Sequence, residues 1–169
     1  SAEEGVLTLY SGKTSEKGNI IDVNALQIDG KEGITHITSA CYSPNGKHLY
    51  IATTYSNRKI KPKGNYKESN FHLEMGEYVN GVGWTNFKVL QFCKPIYSYG
   101  HPAISPDGKT LYFVANIRTG KQMAKGPSDL FKVNILRENT FSEPINLGSK
   151  VNSYSKEMFP FISADNTLY

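Results

Sequence analysis

The sequence predicts an all-β fold assembled from a repeated four-stranded antiparallel unit, and three observations carry that reading. The 169 residues include 11 Tyr, 8 Phe, 15 Gly and 8 Pro, a mixture of strand formers and turn formers. One segment recurs three times, at 39–50 (SACYSPNGKHLY), 101–112 (HPAISPDGKTLY) and 159–169 (FPFISADNTLY). Its anchoring serines, Ser43, Ser105 and Ser163, recur at a nearly constant interval, the mark of an internal repeat. A hydrophobic share of 38% against 20% charged residues supplies enough apolar surface for a core.

Each copy reads as a hairpin: a short apolar strand A, a tight turn, then an aromatic strand B. The turn residues are Ser43, Pro44, Asn45 and Gly46 in the first copy and Ser105, Pro106, Asp107 and Gly108 in the second. The third copy, with Ser163 and Asp165, lacks the turn lysine and is one residue shorter. Asn45 and Asp107 occupy positions where such side chains bond their own backbone, so a structural role accounts for them. Strand C is expected at Leu9-Tyr10, Asn70-Phe71-His72 and Asp129-Leu130-Phe131. Strand D is expected at 21–25, 84–90 and 141–147, each beginning at nearly the same distance before the next anchoring serine. Four strands in about 60 residues is the blade of a β-propeller, whose sheets bury their faces on one another.

The repeat at 101–113 (HPAISPDGKTLYF) resembles the WD40-like repeat of TolB-type propellers. Its surroundings, SDLFKV at 128–133, FSEPINLG at 141–148 and EMFPFIS at 157–163, resemble the propellers of Bacteroidetes envelope proteins of the OmpA family (PorE-like, type IX secretion). That resemblance covers residues 38–169 well and residues 1–37 weakly. It implies a periplasmic or outer-membrane-associated interaction module with a protein or peptidoglycan partner. The peptidoglycan-binding domain of those proteins has no counterpart in this sequence, so that activity is not carried over.

The expected organisation is a single propeller region over 1–169: a C-D pair at about 7–28, blades at about 38–92 and 101–148, and a partial A-B hairpin at 158–169. Three blades' worth of strands is fewer than a closed propeller uses, which implies a larger parent propeller or two copies completing each other. The opening residues show no charged-then-apolar signal, so any export signal is expected to have been removed. No run of apolar residues is long enough for a membrane span.

Charge and motifs narrow the function. There are 19 basic against 15 acidic residues, net +4, but Arg58, Arg118 and Arg137 are the only arginines, which argues against nucleic-acid recognition. Cys41 and Cys93 lack metal spacing, and a bond between them is not expected because they fall at opposite ends of the unit. Phosphate-loop endings at Gly12-Lys13-Thr14 and Gly108-Lys109-Thr110 lack the earlier glycine, Leu7 and Ala103 standing there instead. Gly81-x-Gly83 precedes a strand rather than a helix, and the S-x-x-K at Ser153–Lys156 lacks its partner motifs. His36, His48, His72 and His101 show no ligand spacing, so no metal, cofactor or catalytic residue is expected.

Assigning loops to the two ends of the unit concentrates cations at one of them. There the candidate partner-binding residues are Arg58, Lys59, Lys61, Lys63, Tyr97, Tyr99, Arg118, Lys121, Tyr154 and Lys156. The other end is expected to carry Glu74, Glu77, Asp107, Glu138 and Glu143. The sequence therefore points to a non-enzymatic scaffold that binds an anionic protein, glycan or peptidoglycan partner at the basic end, a solvated lysine rim being the plain alternative. The second reading is an accessory or catalytic propeller of a secreted peptidase or glycan-processing enzyme. It would need a convergent carboxylate pair or an activated nucleophile, and the axial region offers Glu157, His101 and His36 on different repeats.

Overall fold

The computed structural model describes residues 9–137, 139–153, 160–163, 165 and 167–168. Over these the regular structure is mostly antiparallel β-sheet, with almost no helix. Strands β1 (Tyr10–Thr14) and β2 (Ile20–Ala25) form a hairpin, followed by a 3-10 turn at Gly30–Glu32. Strands β3 (Ser39–Tyr42), β4 (His48–Thr54), β5 (Phe71–Val79) and β6 (Gly83–Val89) then make a four-stranded sheet in chain order. A single helical turn, α1 (Tyr55–Arg58), opens the long connection between β4 and β5; Thr54 caps it by accepting a hydrogen bond from the Asn57 N–H. The second large sheet has β7 (Tyr99–Ile104), β8 (Thr110–Ala115) and β9 (Asp129–Arg137) in order. Two short strands, β10 (Thr140–Phe141) and β11 (Ile145–Asn146), both pair with the outer edge of β9.

That outer edge departs from the continuous strand expected at 141–147. Pro144 has no N–H to give to the ladder, and it separates β10 from β11. The gap is bridged locally: the Ser142 N–H donates to the Asn134 carbonyl, and the Asn134 N–H donates to the Ser142 hydroxyl.

Successive residues of β4 face opposite ways, so the sheet has two packed faces. Tyr50 and Ala52, with Leu73 and Met75 of β5, face Leu111, Phe113, Phe131 and Val133 of the second sheet. Phe92 lies between them, stacked on Phe113 at 5.1 Å and edge-on to Phe141 at 5.5 Å. Leu49 and Ile51 face the other way, with Trp84 and Phe87 of β6, against Leu26, Ile28 and Ile34. Each fully buried Leu or Phe contributes roughly 1.5–3 kcal/mol. The outer edge of β6 is covered where Ile28 bridges Trp84 in parallel. Close approach there demands glycine: Gly83 has φ +102°, and a Cβ would stand 2.5 Å from the Gln27 carbonyl oxygen.

The repeated turns match bond for bond. The Ser43 hydroxyl donates to Asn45 Oδ1 at 2.6 Å and accepts the His48 N–H at 3.0 Å, while Asn45 Oδ1 also accepts the Lys47 N–H at 3.0 Å. In the second copy Ser105 donates to Asp107 at 2.6 Å and accepts from Thr110 at 3.0 Å, and Asp107 accepts from Lys109 at 2.9 Å. Gly46 and Gly108 both sit at φ +71°. The third copy has Ser163 donating to Asp165 and the Thr167 N–H reaching both side chains, one residue sooner. Its strand pairing is a bridge between Ile162 and Leu168. Pro44 and Pro106 follow the anchoring serines, and Pro44 lies 3.7 Å from where a Gly108 Cβ would be, so neighbouring turns touch.

Strands β3 and β7 lie side by side as the free edges of the two sheets. The His101 N–H donates to the Ser39 hydroxyl at 3.2 Å across that boundary. Ser39 and His101 open the first two copies of the repeated segment, so a position meets its own counterpart in the next repeat.

Candidate binding face

The connections β4–β5 (55–70) and β8–β9 (116–128) are the longest between paired strands, and both leave the sheets at one end. Of the cations expected to act there, Lys59, Lys61, Lys63 and Lys121 are exposed. Lys59 closes α1 in the left-handed region at φ +54°, its N–H donating to the Ser56 and Tyr55 carbonyls. Tyr154 and Lys156 lie outside the described residues.

Four other candidates make their bonds within the scaffold. The Arg58 side chain is only 8% exposed; its Nε bonds both Glu74 carboxylate oxygens, at 2.9 and 3.1 Å, and Nη2 reaches Glu32 at 3.0 Å. Tyr97 is buried, with its hydroxyl 2.8 Å from Thr119 Oγ1. The Tyr99 hydroxyl accepts the Lys94 N–H at 3.1 Å and donates to the Phe92 carbonyl, and burial pushes its pKa up. Arg118 is exposed, but its guanidinium donates to the Gly126 and Pro127 carbonyls at 2.7 and 2.5 Å and braces its own loop.

Arg58 belongs to a buried polar chain that sequence reasoning missed. Glu74, expected at the opposite end, has a side chain 1% exposed and bonds His72 Nε2 at 2.9 Å as well as Arg58. The His72 ring packs at a tilt against Tyr55, with ring centres 4.3 Å apart. Glu32 Oε1 accepts from the Thr85 hydroxyl at 3.2 Å, and that hydroxyl also donates to Asp29 at 2.8 Å. The Lys31 N–H, together with Thr85, holds the Asp29 carboxyl below the usual range. The available signal was the i, i+2 spacing of His72 and Glu74, which places both on one face of β5. The two cysteines are free, and burial pushes each thiol up to about 12.

With Glu32 bonded to Arg58, the two long connections keep six exposed lysines (Lys59, Lys61, Lys63, Lys67, Lys121 and Lys125) against one acid, Glu68. Among the described residues none of these lysines makes an ion pair. Below them, between the two sheets, opens a cleft of about 440 Å³. Its walls come from the last residues of β8, the first of β5 and β7, and Pro127 and Ser128 just before β9, so it lies at the same end as the lysines. The cleft wall contains His101 at φ +51°, within a β-bulge between Gly100 and Ala103. Bulges and left-handed non-glycine residues re-aim side chains at the cost of local strain, a pattern concentrated at functional sites. Among the described residues no helix is long and apolar enough to cross a membrane. The chain matches no protein-family model and no curated protein.

Proposed function

We propose that the chain is a stretch of β-propeller that works as a non-enzymatic interaction or scaffold module of a bacterial cell envelope, periplasmic or outer-membrane-associated. It binds an anionic protein or peptidoglycan partner through the lysine-bearing connections. Support for the propeller comes from the pairing of Ser39 with His101, since like positions meet where successive sheets are related by rotation about an axis near their inner strands. The observation that carries the function is the separation of charge. Buried Glu74 is consumed by Arg58 and His72 and buried Asp129 by backbone N–H groups and Asn146, whereas the six lysines at one end are left to solvent and raise the local concentration of anions there. The envelope assignment rests on the resemblance of the repeats alone.

The test is the triple variant Lys59→Glu, Lys61→Glu, Lys63→Glu, compared with the unaltered chain for co-sedimentation with purified peptidoglycan and for binding to soluble acidic polypeptide at low salt. Binding of either partner that weakens with salt and is lost in the variant supports the reading. Unchanged binding in the variant contradicts it.

A further inference from the structure

We infer that the cleft between the two sheets is an anchor pocket for one bulky apolar side chain of an acidic peptide segment. The inference rests on the basic face being the binding face, and it commits to a protein partner over a glycan. Three features converge. The walls are mainly apolar, formed by Phe71, Tyr99, Val114, Ala115 and Pro127, and about 440 Å³ accommodates a Phe-sized side chain together with adjoining backbone. The polar groups of the lining, Thr38, Ser98, His101, Asn116 and Ser128, are scattered and too few to match the many hydroxyls of a sugar ring, whereas an aromatic or aliphatic side chain loses nothing against the apolar wall. The second feature is a polar edge. Asn116 Oδ1 accepts the Ser98 N–H at 2.7 Å, which fixes the amide and leaves its Nδ2, unpartnered among the described residues, to donate to a peptide carbonyl. The third is charge: the cleft opens at the end of the sheets that carries the two long connections, whose six exposed lysines face Glu68 as their one acid and so favour acidic residues flanking the anchor.

Gly100 lines the cleft, and a Cβ added there meets no atom within 4 Å. Gly100→Phe is therefore expected to occupy the cleft, and its melting temperature checks that the fold is kept. The probe is a short fluorescent peptide with one central phenylalanine flanked by glutamates, titrated at low salt and read by anisotropy. Loss of one buried phenylalanine corresponds to ~10-fold weaker binding or more. That loss is expected both for Gly100→Phe, with its melting temperature unchanged, and for a probe carrying alanine in place of phenylalanine, which needs no altered protein. If both retain full affinity while the lysine-reversal variant loses it, the pocket is overturned and the basic face stands. If the lysine reversal also binds normally, both are overturned. Failure of the probe to bind while peptidoglycan does so in a lysine-dependent way overturns the peptide assignment alone.

Discussion

The two large sheets are copies of one plan that place their charge differently. At the turn between the first two strands, β3–β4 uses the amide of Asn45 where β7–β8 uses the carboxylate of Asp107, with matching hydrogen bonds. At the start of the third strand the Phe71 N–H donates to Ser98 Oγ and the Leu130 N–H to Asn152 Oδ1, again one role filled by two side chains. The contrast lies in the long connections. In the first sheet, Arg58 turns inward to a buried Glu74; in the second, Arg118 turns back on its own loop, and the buried Asp129 is satisfied by the N–H groups of Lys125 and Gly126 and by Asn146. The scaffold thus fixes hydrogen-bonding roles rather than residue types, and it tolerates a buried ion pair in one copy and a neutral cage in the other.

The largest effect separating the copies is expected at their arginines. Arg58→Met leaves Glu74 buried without its cation and should cost about 3–5 kcal/mol in urea unfolding. Arg118→Met removes one partly buried and one exposed bond to carbonyls of its own loop and should cost about 1 kcal/mol. Equal losses would erase the distinction. Next comes Gly83→Ala, where positive φ and the Gln27 carbonyl combine to cost about 1–3 kcal/mol by thermal melting.

Much of this plan was legible in the sequence, and the reasons are local. Ser, Asx and Gly at fixed offsets specify a turn whose bonds all close within a few residues, so Ser43, Ser105 and Ser163 announced themselves. The four-strand order followed from the same spacing. Glu74 did not, because its partner Arg58 sits at the end of α1 on a separate element, and a charge in FHLEMGE reads as a solvent-facing position. Tyr97 and Tyr99 looked like exposed loop aromatics. Their burial depends on Thr119 and on the Lys94 backbone, which local pattern does not connect to them. The exposure of Lys59, Lys61, Lys63 and Lys121 was readable, because charge density in a long connection needs no tertiary partner.

The turn serines sharpen the likeness between copies. Ser43→Ala and Ser105→Ala each remove one donated and one accepted bond, and each should cost about 1–2 kcal/mol. Losses that differ by much more than the scatter between independent sites would show that the turns are not equivalent.

The smallest expected effect is on pH dependence. The Ser105 hydroxyl and the Lys109 N–H hold the Asp107 carboxyl below its ordinary value, and Ser163 does the same for Asp165. A carboxyl depressed on folding contributes stability above its unfolded pKa, and that contribution disappears as pH falls through the folded one. Asp107→Asn should therefore flatten the acid side of the stability profile below about pH 4, while Asn45→Asp steepens it. Unfolding curves measured through the acid range, on both sides of that value, check the two variants.

The central claim is that counterparts in successive repeats meet side by side, Ser39 beside His101, with the long basic connections together at one end. The most direct test is the double variant Ser39→Cys, His101→Cys, treated with a short bis-maleimide and mapped by mass spectrometry alongside its native mass. The account requires an intrachain link between residues 39 and 101 with no change in native mass. A link forming only between chains, or none at all with the fold intact, would contradict it.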